Sequence, residues 1–385
     1  MIEFPANNKL QDNQRIRSNK KIIDQPRNKK GTVIIGGYPY PSRQNDGFFQ
    51  RIKAVDKLLI GKKRIYLDRL DKLQIDSWCD VPAPNTLVLN ISGKYIFRAG
   101  LHALYYILRT PTIYFHSILS VKKFQWLMRC PFIKKIVDIH GVVPEEFEYQ
   151  GDQFNAQKFN KIEEKTIKRA DYLIVVSEAM KNHITKKYEG VFSGEFLILP
   201  ILPEIPKQRT RRIYNSNQPI IIYAGGLQKW QQVQKMIDII TQTASLYHYK
   251  FYCPNPNEMN MLLPVELINS TTIEINSKSH NELLNEYQNC DFGFILRENN
   301  IVNTVSCPTK LVEYIAMGII PIVDSPNIGD FKSLGLEYIN AEDILNHTLP
   351  NKETYLEMVK KNYLLYQTLQ KIHSEGATSL QQVVA

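Results

Sequence analysis

Short runs of β-branched and apolar residues, separated by stretches with helical spacing, punctuate this chain. The first run, Gly31–Ile35, ends at Gly36-Gly37 and the proline-rich turn Tyr38-Pro39-Tyr40-Pro41, which predicts a strand and then a turn. Asp46-Gly47 opens a stretch in which Phe49, Ile52, Val55 and Leu58-Leu59 recur at helical intervals, so the unit reads strand, glycine-containing loop, helix. Further strands are predicted at Arg64–Leu67, Thr86–Asn90, Thr112–Phe115, Lys135–Ile139 and Tyr172–Val176. Apolar strands alternating with helices indicate a parallel sheet covered on both faces.

The pattern breaks between Leu199 and Arg212, where Pro200, Pro203 and Pro206 precede a basic run, as expected of an interdomain linker. A second α/β series begins at Ile220–Gly226 and continues through Phe251-Tyr252, Thr272–Ile275, Phe292–Ile295 and Ile319–Val323. Ser279-His280-Asn281-Glu282 reads as a capping box opening a helix. Residues 353–373 are helical in pattern. The expected layout is a basic tail over 1–30, a first domain over 31–205, a second over 206–350 and a C-terminal helical segment over 351–385.

The segment from Pro308 to Gly318 carries the most chemistry. Proline suits the start of a helix and glycine its left-handed end. Lys310 falls in the first turn, where free N–H groups already favour a phosphate. Glu313 follows three residues on, on the same face. A cation with a carboxylate behind it matches a nucleotide diphosphate and its ribose hydroxyls, and equally an amphipathic helix with a surface Lys–Glu pair.

Pro308-x-Lys310-x-x-Glu313-Tyr314-x-Ala316-x-Gly318 before an apolar strand resembles the donor-site signature of retaining glycosyltransferases of the GT-B fold, family 4 type, which serve bacterial glycan or capsular polysaccharide biosynthesis. Asp138-Ile139-His140-Gly141 through Glu146, Glu164-Lys165 leading to Ala170–Ser177, Tyr223–Leu227 and Asn289–Arg297 agree with it in order, so the resemblance covers roughly 31–345. It implies two Rossmann-like doubly wound α/β domains facing a cleft, with the final helix crossing back onto the first domain. The donor would lie mainly on the second domain, with Lys310 on the diphosphate, Glu313 on the ribose and Lys229 as a second phosphate cation. His140 would approach the donor sugar. Gly36, Gly37 and Gly47 would let backbone approach the diphosphate or acceptor, or serve as ordinary turn glycines.

The chain departs from that pattern in two places. Gly226 stands where relatives commonly have arginine, and Val305 where they often have glutamate. Arg297, Glu298 and Asn303 lie just upstream and are the candidates to supply the missing polar contacts, Glu298 and Asn303 joining His140 as catalytic residues. No Asp-x-Asp triplet occurs, so no metal–diphosphate bridge and no cofactor are expected. A degenerate relative that binds glycan or assists a partner enzyme is the alternative.

With 385 residues, 43% of them hydrophobic, the chain can bury two ordinary cores. Its five scattered cysteines suggest reduced thiols, and Met1–Pro5 shows no apolar signal core, so the expected location is cytoplasmic, at most at the inner face of the membrane. Of the net charge of +10, the tail holds +5, from eight basic residues against three acids. No nucleic-acid motif accompanies that charge, so the expected partners are a nucleotide sugar and a glycan or lipid-linked glycan acceptor. Lys122, Lys123, Arg129, Lys134 and Lys135 interleave with Phe124, Trp126, Leu127, Met128, Phe132 and Ile133. This mixture suits either contact with an anionic membrane or a core-facing helix with a solvated basic face.

Overall fold

The computed structural model describes residues 31–40, 47–69, 78–91, 95–206 and 213–384. The basic segment 1–30, Asp46 and the basic run 207–212 lie outside the described residues. Eight strands form the first sheet: β1 (Gly31–Ile35), β2 (Lys63–Arg69), β3 (Cys79–Ala83), β4 (Thr86–Ile91), β5 (Thr112–Phe115), β6 (Lys134–Ile139), β7 (Tyr172–Val175) and β8 (Glu195–Ile198). Their order is β3-β4-β2-β1-β5-β6-β7-β8, parallel except for β3 on β4. Val33 of β1 pairs with Ile65 on one side and Ile113 on the other. The second sheet, all parallel, runs β11 (Ile273–Asn276), β10 (His248–Tyr252), β9 (Ile220–Ala224), β12 (Phe292–Ile295), β13 (Ile320–Val323) and β14 (Ile339–Asn340). In both sheets the first strand is central and the order reverses beside it, the doubly wound arrangement that opens a crevice at the strands' carboxyl ends.

The sequence pattern did not reveal β3, β8 or β14. These are edge strands: β3 carries Pro82, β8 begins with an exposed glutamate, and β14 is two residues long. β3 and β14 lack the continuous apolar run that marks a strand buried on both faces, and the short run of β8, Phe196–Ile198, leads straight into the proline-rich connection.

The helices that position the site are α1 (Gly47–Leu58), α2 (Ile96–Ile107), α3 (Ile118–Lys123), α4 (Glu178–Lys187), α5 (His280–Tyr287), α6 (Thr309–Met317) and α7 (Lys352–Val383). One apolar cluster is continuous from the first sheet through Ile201 and Leu202 to the α5 and α6 side of the second. α7, about 48 Å long at 1.5 Å per residue, straps the two sheets together. Near its start Tyr355 donates to Asp291 O of the second unit (3.2 Å). Near its end Gln381 donates to Leu58 O (2.9 Å) and Val383 O accepts from Lys134 Nζ (2.9 Å), both of the first.

The basic cluster around Trp126 does not form one face. Phe124, Leu127 and Met128 are core, Lys135 is buried with its ammonium 3.5 Å from Asp171, and Lys134 is committed to α7. The strand β6 takes both lysines away from α3, because its alternating side chains serve the sheet.

Gly376 of α7 lies so close to β8 that a Cβ would overlap the carbonyl oxygen of Ile198. Gly376→Val should therefore destabilise the fold by about 1–3 kcal/mol, the ordinary cost of overpacking. Urea unfolding reads this, and a variant as stable as the parent would mean that α7 does not dock there.

Candidate functional site

α6 starts after Pro308 and ends at Gly318, whose φ of 77° is the left-handed closure expected of glycine. The helix buries Glu313 completely. Glu313 Oε2 accepts from Tyr287 Oη of α5 (2.9 Å) and from Lys310 Nζ (3.1 Å). Its Oε1 has no hydrogen-bond partner, with His280 Nδ1 3.6 Å away and likewise unpartnered. Lys310 and Glu313 therefore pair with each other, yet the carboxylate is too buried for an ordinary surface pair. Burial pushes the His280 imidazole down against the pull of Glu313, and Lys310 and Lys53 of α1 add to the fall. This cluster thus faces the first unit.

Beyond the end of β6, His140 reaches the cleft. Its ring lies 5.3 Å from that of Phe48 at the start of α1, and its Nδ1 stands 3.7 Å from Asp138 Oδ1. Asp138 is fully buried and accepts from Arg51 Nε (2.9 Å), Arg51 Nη2 (3.0 Å) and Tyr114 Oη (2.8 Å). Burial alone would raise its pKa, but Arg51 and His140 hold the carboxyl well below the usual carboxylate range. Arg51 Nη1 donates to Leu199 O (2.8 Å), just past β8. Sequence reasoning missed Arg51, although its place between Phe48 and Val55 on the apolar face of α1 was the available signal. It also missed His116, fully buried at the end of β5 with neither ring nitrogen partnered, its pKa pushed down to about 3 by burial.

A cavity of about 200 Å³ opens between the sheets. Its first wall carries His140, Glu146 and Tyr149, and its second Trp230, Arg297 and Asn303, with Ser306 and Pro308 leading into α6. Arg297 Nη1 contacts Trp230 O and Asn303 Oδ1, each at 3.4 Å. Among the described residues no carboxylate lies within ion-pair distance of it, and burial pushes its guanidinium down from its ordinary value. Asn303, almost wholly buried, donates from Nδ2 to Glu298 O (2.9 Å) and so fixes the loop that presents Arg297.

The structure thus brings His140, Arg297 and Asn303 around one cavity and sets Lys310 and Glu313 on the helix that begins at its edge. Other candidates fall elsewhere. Glu298 is exposed outside the cavity wall, where its carboxylate accepts from Tyr149 Oη (2.9 Å) and Gln232 Nε2 (2.7 Å) and so bridges the two units. Lys229 is exposed with its ammonium 5.0 Å from the centre of the Tyr149 ring, a cation on an aromatic face. Gly36, at φ 155°, leaves room for His116, since a Cβ there would lie 3.0 Å from the imidazole. Gly37 follows it in the loop after β1, and Gly47 is the first residue of α1.

Beside the same cavity, Ser177 Oγ caps α4 by accepting from Met180 N (3.0 Å) and donates to Val305 O (2.7 Å) of the second unit. Asp330 of the second unit accepts from Glu178 N (2.6 Å) and Ala179 N (2.8 Å), so one unit supplies the carboxylate for the other's helix start.

No protein-family model matches the chain, and no curated protein matches it in sequence. Solved structures do match it in shape. A sucrose-phosphate synthase from Thermosynechococcus elongatus is 13% identical, with a TM-score of 0.69 over 92% of this chain and 99% of that one. Anabaena HepE in complex with UDP and glucose is 10% identical, with a TM-score of 0.63 over 92% of this chain and 100% of that one. The catalytic domain of starch synthase IV from Arabidopsis thaliana, bound to ADP and acarbose, is 11% identical, with a TM-score of 0.55 over 91% and 100%. The architecture they share with this chain is the GT-B fold, two doubly wound α/β units about one cleft.

Removing one partner of the Arg51–Asp138 pair leaves a buried charge uncompensated, so Asp138→Asn should cost about 3–5 kcal/mol near neutral pH. The folded pKa of Asp138 lies below its ordinary 3.8, so its contribution is present above that value and is lost as pH falls through the acid range. The gap between parent and variant should accordingly shrink below about pH 4. Urea unfolding across pH measures both quantities, and a gap that does not change with pH would contradict the linkage.

Proposed function

We propose that this chain is a retaining glycosyltransferase of the family 4 type, which moves a sugar from a nucleotide diphosphate donor to a glycan or lipid-linked glycan acceptor in the cytoplasm. The observation that carries this reading is Arg297, a half-buried cation on the cleft cavity with no carboxylate partner among the described residues. Such a charge suits a diphosphate or the developing charge of a leaving group. Lys310 and the unpartnered Oε1 of Glu313 add a cation for phosphate and an acceptor for ribose hydroxyls. The structures of similar shape include complexes with UDP and with ADP, which supports the same class of donor.

In this mechanism the bond between the anomeric carbon and the diphosphate oxygen breaks as the acceptor oxygen bonds to that carbon from the same face. The acceptor's proton passes to the departing phosphate oxygen, and Arg297 and Lys310 meet the charge that develops there. His140, backed by Asp138, is the group assigned to orient the sugar. Asn303 acts through the Arg297 loop. Glu298 reaches the chemistry only if substrate displaces its contacts with Tyr149 and Gln232. With two cations available and no Asp-x-Asp triplet in the sequence, transfer requires no metal.

Val305, buried where relatives often carry glutamate, favours a second reading, a nucleotide- or glycan-binding protein without turnover. Incubation with a panel of nucleotide sugars and detection of released nucleotide separates the two. We expect release that persists in chelator and a product with the donor's anomeric configuration. Arg297→Ala and Lys310→Ala should each weaken nucleotide binding by about 1.5–3 kcal/mol, the range for hydrogen bonds to charged groups. Nucleotide binding without release across the panel would select the second reading, and unchanged affinity in both variants would remove the first.

A further inference from the structure

The outward face of α2 is apolar where a surface helix is ordinarily polar. The helix rests on the first sheet through Ala99, Ala103, Tyr106 and Ile107. Its other side presents Phe97 at 86% exposure, Leu101 at 69% and, just past its end, Leu108 at 75%, with Ile96, Leu104 and Tyr105 alongside. Residues 95–109 contain no Asp or Glu. Arg98 and Arg109 stand at the two ends of the face, each guanidinium laid over an aromatic ring, Trp78 at 4.8 Å and Tyr105 at 4.3 Å. A contiguous exposed patch of this kind marks an interaction surface.

A second feature adjoins the same helix. Tyr106 borders a cavity of about 440 Å³ walled also by Lys63 and Arg64. The Lys63 ammonium lies 5.3 Å from the centre of the Tyr106 ring. Arg64 is buried and held through Nη1 by Asp56 (2.6 Å), and its Nε has no hydrogen-bond partner. An apolar stripe with cations at both ends matches acyl chains below a layer of phosphates.

We propose that this face of α2 docks the chain onto an anionic bilayer. Phe97, Leu101 and Leu108 enter the acyl boundary while Arg98, Arg109 and Lys63 meet lipid phosphates. Charge argues against the other occupants. A second copy would bring arginines against arginines with no acid in residues 95–109 to pair them, and the net charge of +5 over 1–30 disfavours that segment as the occupant. Among the described residues no helix is long and apolar enough to cross a membrane, so the contact is peripheral. The proposal is independent of the reading of the cleft, and its test involves no nucleotide sugar.

The full chain is mixed with vesicles of phosphatidylcholine alone or with about one-third phosphatidylglycerol, and cosedimentation is measured at about 0.1 M and 1 M salt, where the Debye length falls from about 10 Å to 3 Å. The parent should sediment with the anionic vesicles at low salt and lose most of that binding at high salt. The triple variant Phe97→Gln, Leu101→Gln, Leu108→Gln, altered only at exposed positions, should lose about tenfold or more in partitioning. Arg98→Gln with Arg109→Gln should weaken binding only to the anionic vesicles. Unchanged circular dichroism would confirm that each variant is folded. The proposal is overturned if the parent stays in the supernatant, if the triple variant binds as the parent does, or if replacing Lys122, Lys123 and Trp126 instead abolishes binding. A parent dimer that the triple variant dissolves, without vesicle binding, would assign the face to a second copy.

Discussion

The buried Arg51–Asp138 pair is the constraint on which the rest of the cleft depends. A single guanidinium joins α1 to the end of β6 through two nitrogens and to the chain just past β8 through a third. Its planar fork admits little variation in angle, so it fixes directions as well as distances. His140 leaves β6 two residues after Asp138, and the connection toward the second sheet leaves at Leu199. The position of the cleft histidine and the exit of the chain from the first sheet are therefore set by one interaction. Ion pairing in the interior is weak grounds for stability in itself, because desolvation offsets most of the attraction. Here the remaining capacity of the carboxylate is met by Tyr114, which removes the usual penalty of a half-satisfied pair.

Across the cleft the two units are joined unequally. On the Ser177 side the contacts are largely buried, one of them a carboxylate on two backbone N–H groups at a helix start, and a continuous apolar cluster runs beneath them. On the Tyr149 side the bridge is an exposed carboxylate shared by a phenol and an amide. Solvent-exposed hydrogen bonds contribute little net free energy, whereas charged donors and acceptors at a buried helix terminus contribute more. The Ser177 contacts are thus the fixed part of the junction, and the exposed bridge at Tyr149 is the part that water or a ligand can remodel at small cost.

The doubly wound fold was legible because strands buried on both faces must be continuous apolar runs, and β1, β5, β9, β12 and β13 are such runs. The edge strands were not, since Pro82 breaks β3 and the short apolar run of β8 merges into the proline-rich connection that follows Leu199. Local signals also served α6, whose Pro308 and Gly318 mark its ends. What the sequence could not convey was which polar groups meet across long separations. Glu298 lies near Arg297 in the chain, but Tyr149, distant in sequence, draws its carboxylate out of the cavity wall. Lys134 and Lys135 neighbour a basic aromatic stretch, yet strand alternation and α7 claim them. Arg51 shows the reverse case, an arginine at an apolar helical position that only its partner in β6 explains.

Unsatisfied polar atoms locate the places where this fold is poised to receive a ligand. A buried donor or acceptor without a partner carries a desolvation cost that a native structure keeps only where something offsets it. Away from the cleft Glu163 is held by Lys187 and Tyr188, although Glu145 Oε2 in the same cluster has no hydrogen-bond partner. Around the cleft, by contrast, Glu313 Oε1, His280 Nδ1 and His140 Nδ1 lack partners, and Arg297 has no carboxylate. Arg64 Nε is a further unpartnered donor, beside the cavity at α2. The cleft groups combine cations, acceptors and imidazoles, a set that fits a polyhydroxylated, charged molecule. At α2 a broad apolar face carries an arginine at each end, a set that fits an amphiphile. The two surfaces therefore differ in chemistry on one chain, and the apolar one lies on the unit opposite the helix that carries Lys310 and Glu313.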